Sequence, residues 1–319
     1  MKILANDGLN PAGIRMLAGA GYKVITNKVS QEALANFINE NHVEVLLVRS
    51  ATKVRKELID ACPGLKLIGR GGVGMDNIDV EYAQNKGIKV VNTPASSSDS
   101  VAELVMAHLY GMVRFLHDSN RLMPLEGETR FNELKKKYAD GRELRGKTLG
   151  IVGIGRIGQS LARLALGVGM RVIAADPYYK DVVEIKIVFY DGQSVTSKVP
   201  IVDMDTLLAE SDFVSLHVPA SDKPVIDREH IAKMKDKAAI VNAARGGVVD
   251  EQALLDALDS GKLAYAGLDV FENEPTPSMK LLMHPALSLT PHIGASTAEA
   301  QERIGEELAQ IIIDHFIKK

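Results

Sequence analysis

From Met1 to about Asn92 the chain alternates two rhythms. Short β-branched runs at Lys2 to Asn6, Lys23 to Thr26, Val43 to Arg49, Leu65 to Arg70 and Ile88 to Val91 read as strands. The stretches between them, such as Pro11 to Ala20, Gln31 to Asn39 and Lys56 to Cys62, carry apolar residues at helical spacing. Strand and helix in alternation predict a parallel sheet with helices on both faces. The rhythm breaks at Ser100-Val101-Ala102-Glu103, a capping box that predicts a helix running to about Arg114 or His117. That helix is apolar nearly all the way round, so it must be buried on several sides, and the expectation is an interface between domains or between subunits. The polar stretch from Asp118 to Lys147, with Lys135-Lys136-Lys137, reads as a connection with some helix.

The second half resumes with the apolar run Thr148 to Val152, a glycine-rich turn, a helix-patterned stretch through Leu166 and a further strand at Arg171 to Ala175. Alternation from Glu184 to Tyr190 and from Ser194 to Val199, around Asp191-Gly192, predicts a hairpin, a surface addition to this part of the chain. A short helix near Met204 to Glu210 and strands at Phe213 to His217, Ala239 to Asn242 and Ala264 to Val270 follow. A second capping box, Ser296-Thr297-Ala298-Glu299, predicts the final helix.

The turn after Val152 is Gly153-Ile154-Gly155-Arg156-Ile157-Gly158. Gly153 permits the tight turn, Gly155 lets the backbone approach a pyrophosphate, and Gly158 lets the helix lie against the strand. The helix N-terminus then faces the anion with free N–H groups and the positive end of its dipole. The pattern alone is weak evidence in a chain with 27 glycines. Its context is not: the next strand ends in Asp176, 18 residues beyond Gly158, where a dinucleotide fold places the carboxylate for the adenosine ribose. Strand, turn, helix, strand and acid together predict an NAD-binding Rossmann domain.

A length of 319 residues suggests two domains. The net charge of −3 offers no electrostatic reason to expect nucleic acid. Met1 leads straight into a strand without a signal-peptide core, and no apolar stretch is long enough to span a bilayer, so neither export nor a membrane partner is expected. Cys62 is the only cysteine; it reads as structural, and a reducing cytoplasm fits. No metal site is expected.

Three more stretches stand at strand ends, where an open α/β sheet places its ligands: Asn242 to Gly247, Gly267 to Pro275 and Thr290 to Ala295. Taken singly, Arg245 reads as a surface ion pair, Glu274 as a solvated turn residue and His292 as a loop histidine. Together, the GxGRIG turn with Asp176, Ala244-Arg245-Gly246-Gly247-Val248-Val249-Asp250, Leu268-Asp269-Val270-Phe271 with Glu274-Pro275, and Pro291-His292-Ile293-Gly294-Ala295-Ser296-Thr297 resemble the D-isomer-specific 2-hydroxyacid dehydrogenases. The resemblance covers the whole chain. It is narrowest to the phosphoglycerate dehydrogenase branch, through Val48 to Val54, Gly69 to Asn77 and Asn92-Thr93-Pro94.

The resemblance implies two doubly wound parallel-sheet domains: a Rossmann domain at 99–293, inserted into a smaller flavodoxin-like substrate domain formed by 1–98 and 294–319. It implies that Arg245, Glu274 and His292 are the catalytic set. Arg245 can hold a 2-oxo or 2-hydroxy carboxylate and polarise the C2 oxygen, and His292 can shuttle the hydroxyl proton. Glu274 would fix the tautomer of His292 and favour the imidazolium. The resemblance further places Arg156 and Ile157 at the pyrophosphate and Asp269 near the nicotinamide. It sets His217, Val218, Pro219, Ala243, Ala244, Gly294 and Ala295 along the cofactor, with His217 in its wall rather than in the chemistry. Gly72-Val73-Gly74 becomes a backbone nest for the substrate carboxylate. Arg49, Lys53 and Arg70 become the cations for a substrate phosphate.

Two positions depart from the family's habit: Ser97 stands where relatives often have Asn, and Phe131 where many have Trp, which puts the contacts at the active-site entrance in question. With the chain ending at Lys319, a C-terminal serine-sensing domain is not expected. The implied function is NAD-dependent oxidation of D-3-phosphoglycerate at the entry to serine synthesis, by a homodimer joined through the apolar helix Val101 to Leu116. A glyoxylate or hydroxypyruvate reductase is the rival within the enzyme class, and an NAD-sensing corepressor the rival outside it.

Overall fold

The computed structural model describes residues 1–317; Lys318 and Lys319, the end of the expected last segment, lie outside the described residues. The chain divides into two compact units, Met1–Ser98 with Ala295–Lys319, and Asp99–Gly294, so Gly294 falls in the second.

The first unit begins with β1 (Lys2–Ala5), α1 (Pro11–Gly19), β2 (Lys23–Ile25), α2 (Leu34–Glu40), β3 (Val45–Val48), α3 (Lys56–Ala61), β4 (Leu67–Arg70), α4 (Val80–Asn85) and β5 (Lys89–Asn92). The strands form one parallel sheet in the order β2-β1-β3-β4-β5, the flavodoxin-like arrangement, whose direction of winding reverses between β1 and β3. Successive strand residues point to opposite faces, and both faces are covered. Ile3, Val45 and Leu47 pack with Leu17 of α1 and with Leu308 and Ile312 of the chain's last helix; Leu4, Leu46 and Val48 pack with Leu34, Ile38 and Leu58 of the helices opposite. Each such side chain taken fully out of water contributes about 1.5–3 kcal/mol. Cys62 is wholly buried, and burial pushes its thiol up to about 11, which keeps it protonated and unreactive at neutral pH.

The second unit opens with α5 (Ser98–Val113), whose first residue is the last of the first unit, and α6 (Leu116–Lys137). It continues with β6 (Thr148–Val152), α7 (Arg156–Gly167), β7 (Arg171–Ala175), the antiparallel hairpin β8 (Val182–Val188) and β9 (Ser194–Pro200), and α8 (Met204–Glu210). Then come β10 (Phe213–Leu216), α9 (Arg228–Lys233), β11 (Ala238–Asn242), α10 (Glu251–Asp259), β12 (Leu263–Leu268), α11 (Met279–Leu282) and β13 (Leu287–Leu289). Its parallel sheet runs β13-β12-β11-β10-β6-β7. A lone parallel bridge from Ala174 to Ile201, just past the hairpin, supplies the position of an outermost strand, which completes a Rossmann arrangement with its switch point between β6 and β10. The chain then returns to the first unit as α12 (Ala298–Ile317).

Four sequence expectations change here. The first long helix starts at Ser98, two residues before the capping box, so Ser100 lies inside it. Its apolar face is consumed within its own unit: Val101, Ala102, Val105, Leu109 and Met112 pack with Leu149, Ile151, Leu161 and Ala162. The 118–147 stretch is mostly helix, entered through Phe115 in the left-handed region (φ 54°) and broken once at Arg130 (φ −124°, ψ 26°). Its polar surface hid it, because a helix that is largely exposed has little apolar stripe to read. At the last helix it is the Thr297 hydroxyl that accepts from the Ala300 N–H, at 3.1 Å, one residue later than the box suggested. Strand β13, three residues at the sheet edge, carries too short a pattern to be seen in sequence.

Candidate active site

The glycine-rich turn sits at the carboxyl end of β6, at the switch point. Gly153 has φ 92°, and a Cβ there would lie 2.5 Å from the His217 carbonyl oxygen, so both conformation and close approach require glycine. Gly155 is different. No atom lies within 4 Å of where its Cβ would be, so the protein's own packing leaves that space open on the side where a pyrophosphate would approach. Helix α7 follows with no side-chain cap on its first turn, leaving those N–H groups to an anion. At the end of β7, Asp176 accepts from the Ile154 N–H and the Tyr178 N–H, each at 2.8 Å, which holds the carboxylate beside the turn. Val218, Pro219, Ala243 and Ala244 lie just past the ends of the neighbouring strands β10 and β11. His217 bonds to the Ser215 hydroxyl through Nε2 at 2.9 Å, and burial pushes its imidazole down to about 4, so the ring is neutral and suits a wall. These features fit an NAD molecule.

On the same unit, Asn242 shapes the turn that carries Arg245. Its side chain donates to the Arg245 carbonyl at 2.9 Å and accepts from the Ala244 N–H at 3.1 Å. The half-buried Arg245 turns Nη1 to the Ala244 carbonyl at 2.6 Å. Glu274 and His292 meet directly. Nδ1 of His292 lies 2.8 Å from one Glu274 oxygen, while the other accepts from the Phe271 N–H at 3.0 Å. His292 itself adopts a left-handed backbone (φ 55°). With Nδ1 engaged, Nε2 is the ring atom turned away from Glu274 and able to exchange a proton with a ligand. A reciprocal pair ties the two loops together: Glu272 accepts from the Glu251 N–H at 3.2 Å, and Glu251 accepts from the Glu272 N–H at 2.8 Å.

In the first unit, Arg49 follows β3 and Arg70 ends β4, with Val48 and Arg70 paired in register. A Cβ at Gly72 would lie 2.2 Å from Arg70 Nη1, so this guanidinium lies against the Gly71-Gly72 turn. Lys53 is exposed on the loop after Arg49. The expected three-residue nest is narrower than its sequence suggested. The Gly72 N–H already donates to Thr93 Oγ1 at 2.8 Å, which leaves Val73 and Gly74 with no acceptor for their N–H groups among the described residues. Ser97 is buried within this unit, whereas Phe131 is exposed on α6 of the other.

Sequence reasoning passed over the residues that hold these groups in place. Asp7 accepts from the Arg49 N–H (2.7 Å), the Thr52 N–H (3.0 Å) and the Thr52 hydroxyl (2.7 Å), and Asn77 donates to the carbonyls of Arg49 and Thr52. Asp269, singled out beside the nicotinamide, also binds the His292 loop, accepting from Thr290 Oγ1 (2.7 Å), Ile293 N–H (2.8 Å) and Gly294 N–H (2.8 Å). The one available signal was their position at the carboxyl ends of strands.

A Rossmann sheet with an anion-ready turn and a paired histidine and glutamate at its strand ends defines the class: a nicotinamide-dependent oxidoreductase. Comparison with known proteins agrees. Residues 106–294 match the NAD-binding domain of the D-isomer-specific 2-hydroxyacid dehydrogenases. A hydroxypyruvate reductase of Thermotoga maritima is 44% identical over 98% of this chain and 97% of its own length. A D-3-phosphoglycerate dehydrogenase of Methanocaldococcus jannaschii is 42% identical over 98% of this chain but 57% of its own, so the chain spans little more than half of that relative. Among solved structures, a D-lactate dehydrogenase from Aquifex aeolicus complexed with NAD and lactic acid shares 31% identity, with a TM-score of 0.75 over 100% of this chain and 96% of that one. The chain belongs to the D-isomer-specific 2-hydroxyacid dehydrogenase family, and its cofactor is NAD.

Proposed function

We propose that the protein oxidises D-3-phosphoglycerate to 3-phosphohydroxypyruvate, the entry step of serine synthesis, as a cytoplasmic homodimer. Bound NAD supplies the hydride acceptor. Arg245 holds the substrate carboxylate and polarises the C2 oxygen, while Nε2 of His292 takes the hydroxyl proton. Glu274 holds the imidazole in the Nδ1–H tautomer and stabilises the imidazolium once the proton has arrived. Arg156, Ile157 and the glycine turn receive the pyrophosphate, and Asp176 the adenosine ribose. Arg49, Lys53 and Arg70 bind the phosphate. The observation that carries the substrate assignment is the pair of arginines at adjacent strand ends, Arg70 with its guanidinium and Arg49 with its side-chain stem against the Gly71-Gly72 turn, more cation than a lone carboxylate requires.

Hydroxypyruvate reduction is the second reading, favoured by the 97% length coverage of the Thermotoga maritima relative. Steady-state kinetics with both substrates separates them. Arg70→Ala should raise KM for phosphoglycerate by about tenfold or more while leaving hydroxypyruvate nearly untouched, and Arg49→Lys should hurt phosphoglycerate turnover although the charge is kept. Equal losses on both substrates, or a wild-type preference for hydroxypyruvate, would transfer the assignment to the reductase.

Cofactor choice is assigned to Asp176, which suits a ribose diol and repels a 2′-phosphate. Asp176→Ala should lower the NAD over NADP preference in kcat/KM by roughly 10²-fold, the loss of a like-charge clash; an unchanged ratio would remove the residue from that role. The homodimer is assigned to α6 rather than α5, because Leu116, Met123, Leu125 and Phe131 expose 43–78% of their surface there. Light scattering at micromolar concentration should give twice the chain mass, and a monomer would end the proposal. The cytoplasm is assigned because the single cysteine is a buried thiol.

A further inference from the structure

We propose that His108, on α5, is a positioning residue for the reaction, acting on the His292 loop through Thr290 and Asp269. The inference rests on the assignment of His292 as the proton shuttle. Asp269 is 1% exposed, and among the described residues no cation pairs with it. Its two oxygens are held instead by three donors, and all three belong to the segment 290–294 on either side of His292. The left-handed backbone of His292 is therefore held from both flanks by one carboxylate.

His108 completes the set from behind. It is 3% exposed, with Nε2 3.1 Å from Thr290 Oγ1 and Nδ1 2.8 Å from Ser288 Oγ. Proton bookkeeping fixes its tautomer. The single Thr290 hydroxyl proton is donated to Asp269 at 2.7 Å, so the Thr290 oxygen must take its own bond from His108 Nε2–H. Nδ1 then carries no proton and accepts from the Ser288 hydroxyl. Burial lowers the affinity of His108 for a second proton, as does His117 nearby, while Asp269 acts the other way. A glycine makes the arrangement possible. A Cβ at Gly267 on β12 would lie 3.0 Å from His108 Cβ and Cγ, and Ser288 stands beside Gly267 in register on β13, so the ring passes over the bare backbone to reach its partners.

The bond fixes the Thr290 hydroxyl toward Asp269, so its loss should blur the position of His292 without touching any group that meets substrate. His108→Leu is expected to lower kcat about tenfold or more, with KM for the oxo acid changed less than about threefold, as small misplacements of reacting groups cost far more in rate than in binding. His108→Gln, whose amide can donate to Thr290 and accept from Ser288, should recover most of the activity. Thr290→Val removes the same bond from the other side, and combining it with His108→Leu should cost no more than the worse single change. In nitrogen-15 NMR of histidine-labelled wild type, the resonances absent from His108→Gln should show the Nε2–H tautomer. Wild-type kcat in His108→Leu, additive losses in the double variant, or an Nδ1–H ring would each overturn the proposal. Should wild type reduce no 2-oxo acid with NADH, the functional reading fails, and the tautomer alone then decides whether the network exists.

Discussion

His292→Ala is expected to lose about 10²–10⁴ of kcat while binding NADH as wild type does, the span that a well-placed general acid or base contributes. Reduction of a 2-oxo acid places negative charge on the C2 oxygen as hydride arrives, and a proton delivered at that moment avoids an alkoxide. The geometry leaves one ring atom for that task, because Nδ1 is bonded to Glu274 at 2.8 Å. Alanine should not disturb the surrounding loops. Glu274 keeps its second anchor on the Phe271 N–H, and Asp269 keeps all three donors from the 290–294 segment. The loss would therefore belong to chemistry rather than folding. Steady-state reduction of the preferred oxo acid, with NADH affinity followed by fluorescence, tests this; a kcat within about threefold of wild type would mean that the proton comes from elsewhere. Glu274→Gln keeps a hydrogen bond and gives up the charge, so a smaller fall in kcat is expected, again without weaker cofactor binding.

Arg245→Lys should lower kcat/KM by about 10²-fold, although the formal charge is unchanged. A guanidinium offers two parallel N–H groups to a carboxylate in a fixed plane, and a charge-assisted hydrogen bond is worth roughly 1.5–3 kcal/mol. Lysine presents a single point of charge on a flexible stem and cannot hold the carboxylate while also reaching the C2 oxygen. The turn should survive the change. It is formed by Asn242 and by the absence of a side chain at Gly246, where a Cβ would lie 1.9 Å from the Phe271 carbonyl oxygen. A Lys variant within about threefold of wild type would show that charge alone suffices and would withdraw the fork from the mechanism. Because 2-oxo acids of every length carry the same carboxylate, the loss should be equal for phosphorylated and unphosphorylated substrates. That distinguishes Arg245 from Arg70.

The chain by itself determined whatever is local and periodic. Buried parallel strands such as Val45–Val48 and Thr148–Val152 must be apolar on both faces, and the Gly153-Ile154-Gly155 turn must bend where no side chain fits, so both are written plainly in the residues. Arg245, Glu274 and His292 could be named because each stands in a distinctive run, yet nothing in the sequence brings Glu274 within 2.8 Å of His292; that meeting is made by the adjacent strands β12 and β13. Only the tertiary structure decided where the apolarity of α5 is spent, because a helix apolar all round states that it is buried but not against what. The same holds for the Gly72 N–H, which sequence offered to a substrate and Thr93 takes, and for His108, which reads as one polar residue in an apolar helix until Ser288 and Thr290, some 180 residues on, come within reach of its two nitrogens. Periodicity reports which side of an element faces inward; the partner it finds there depends on the order in which strands lie side by side, and that order has no local code.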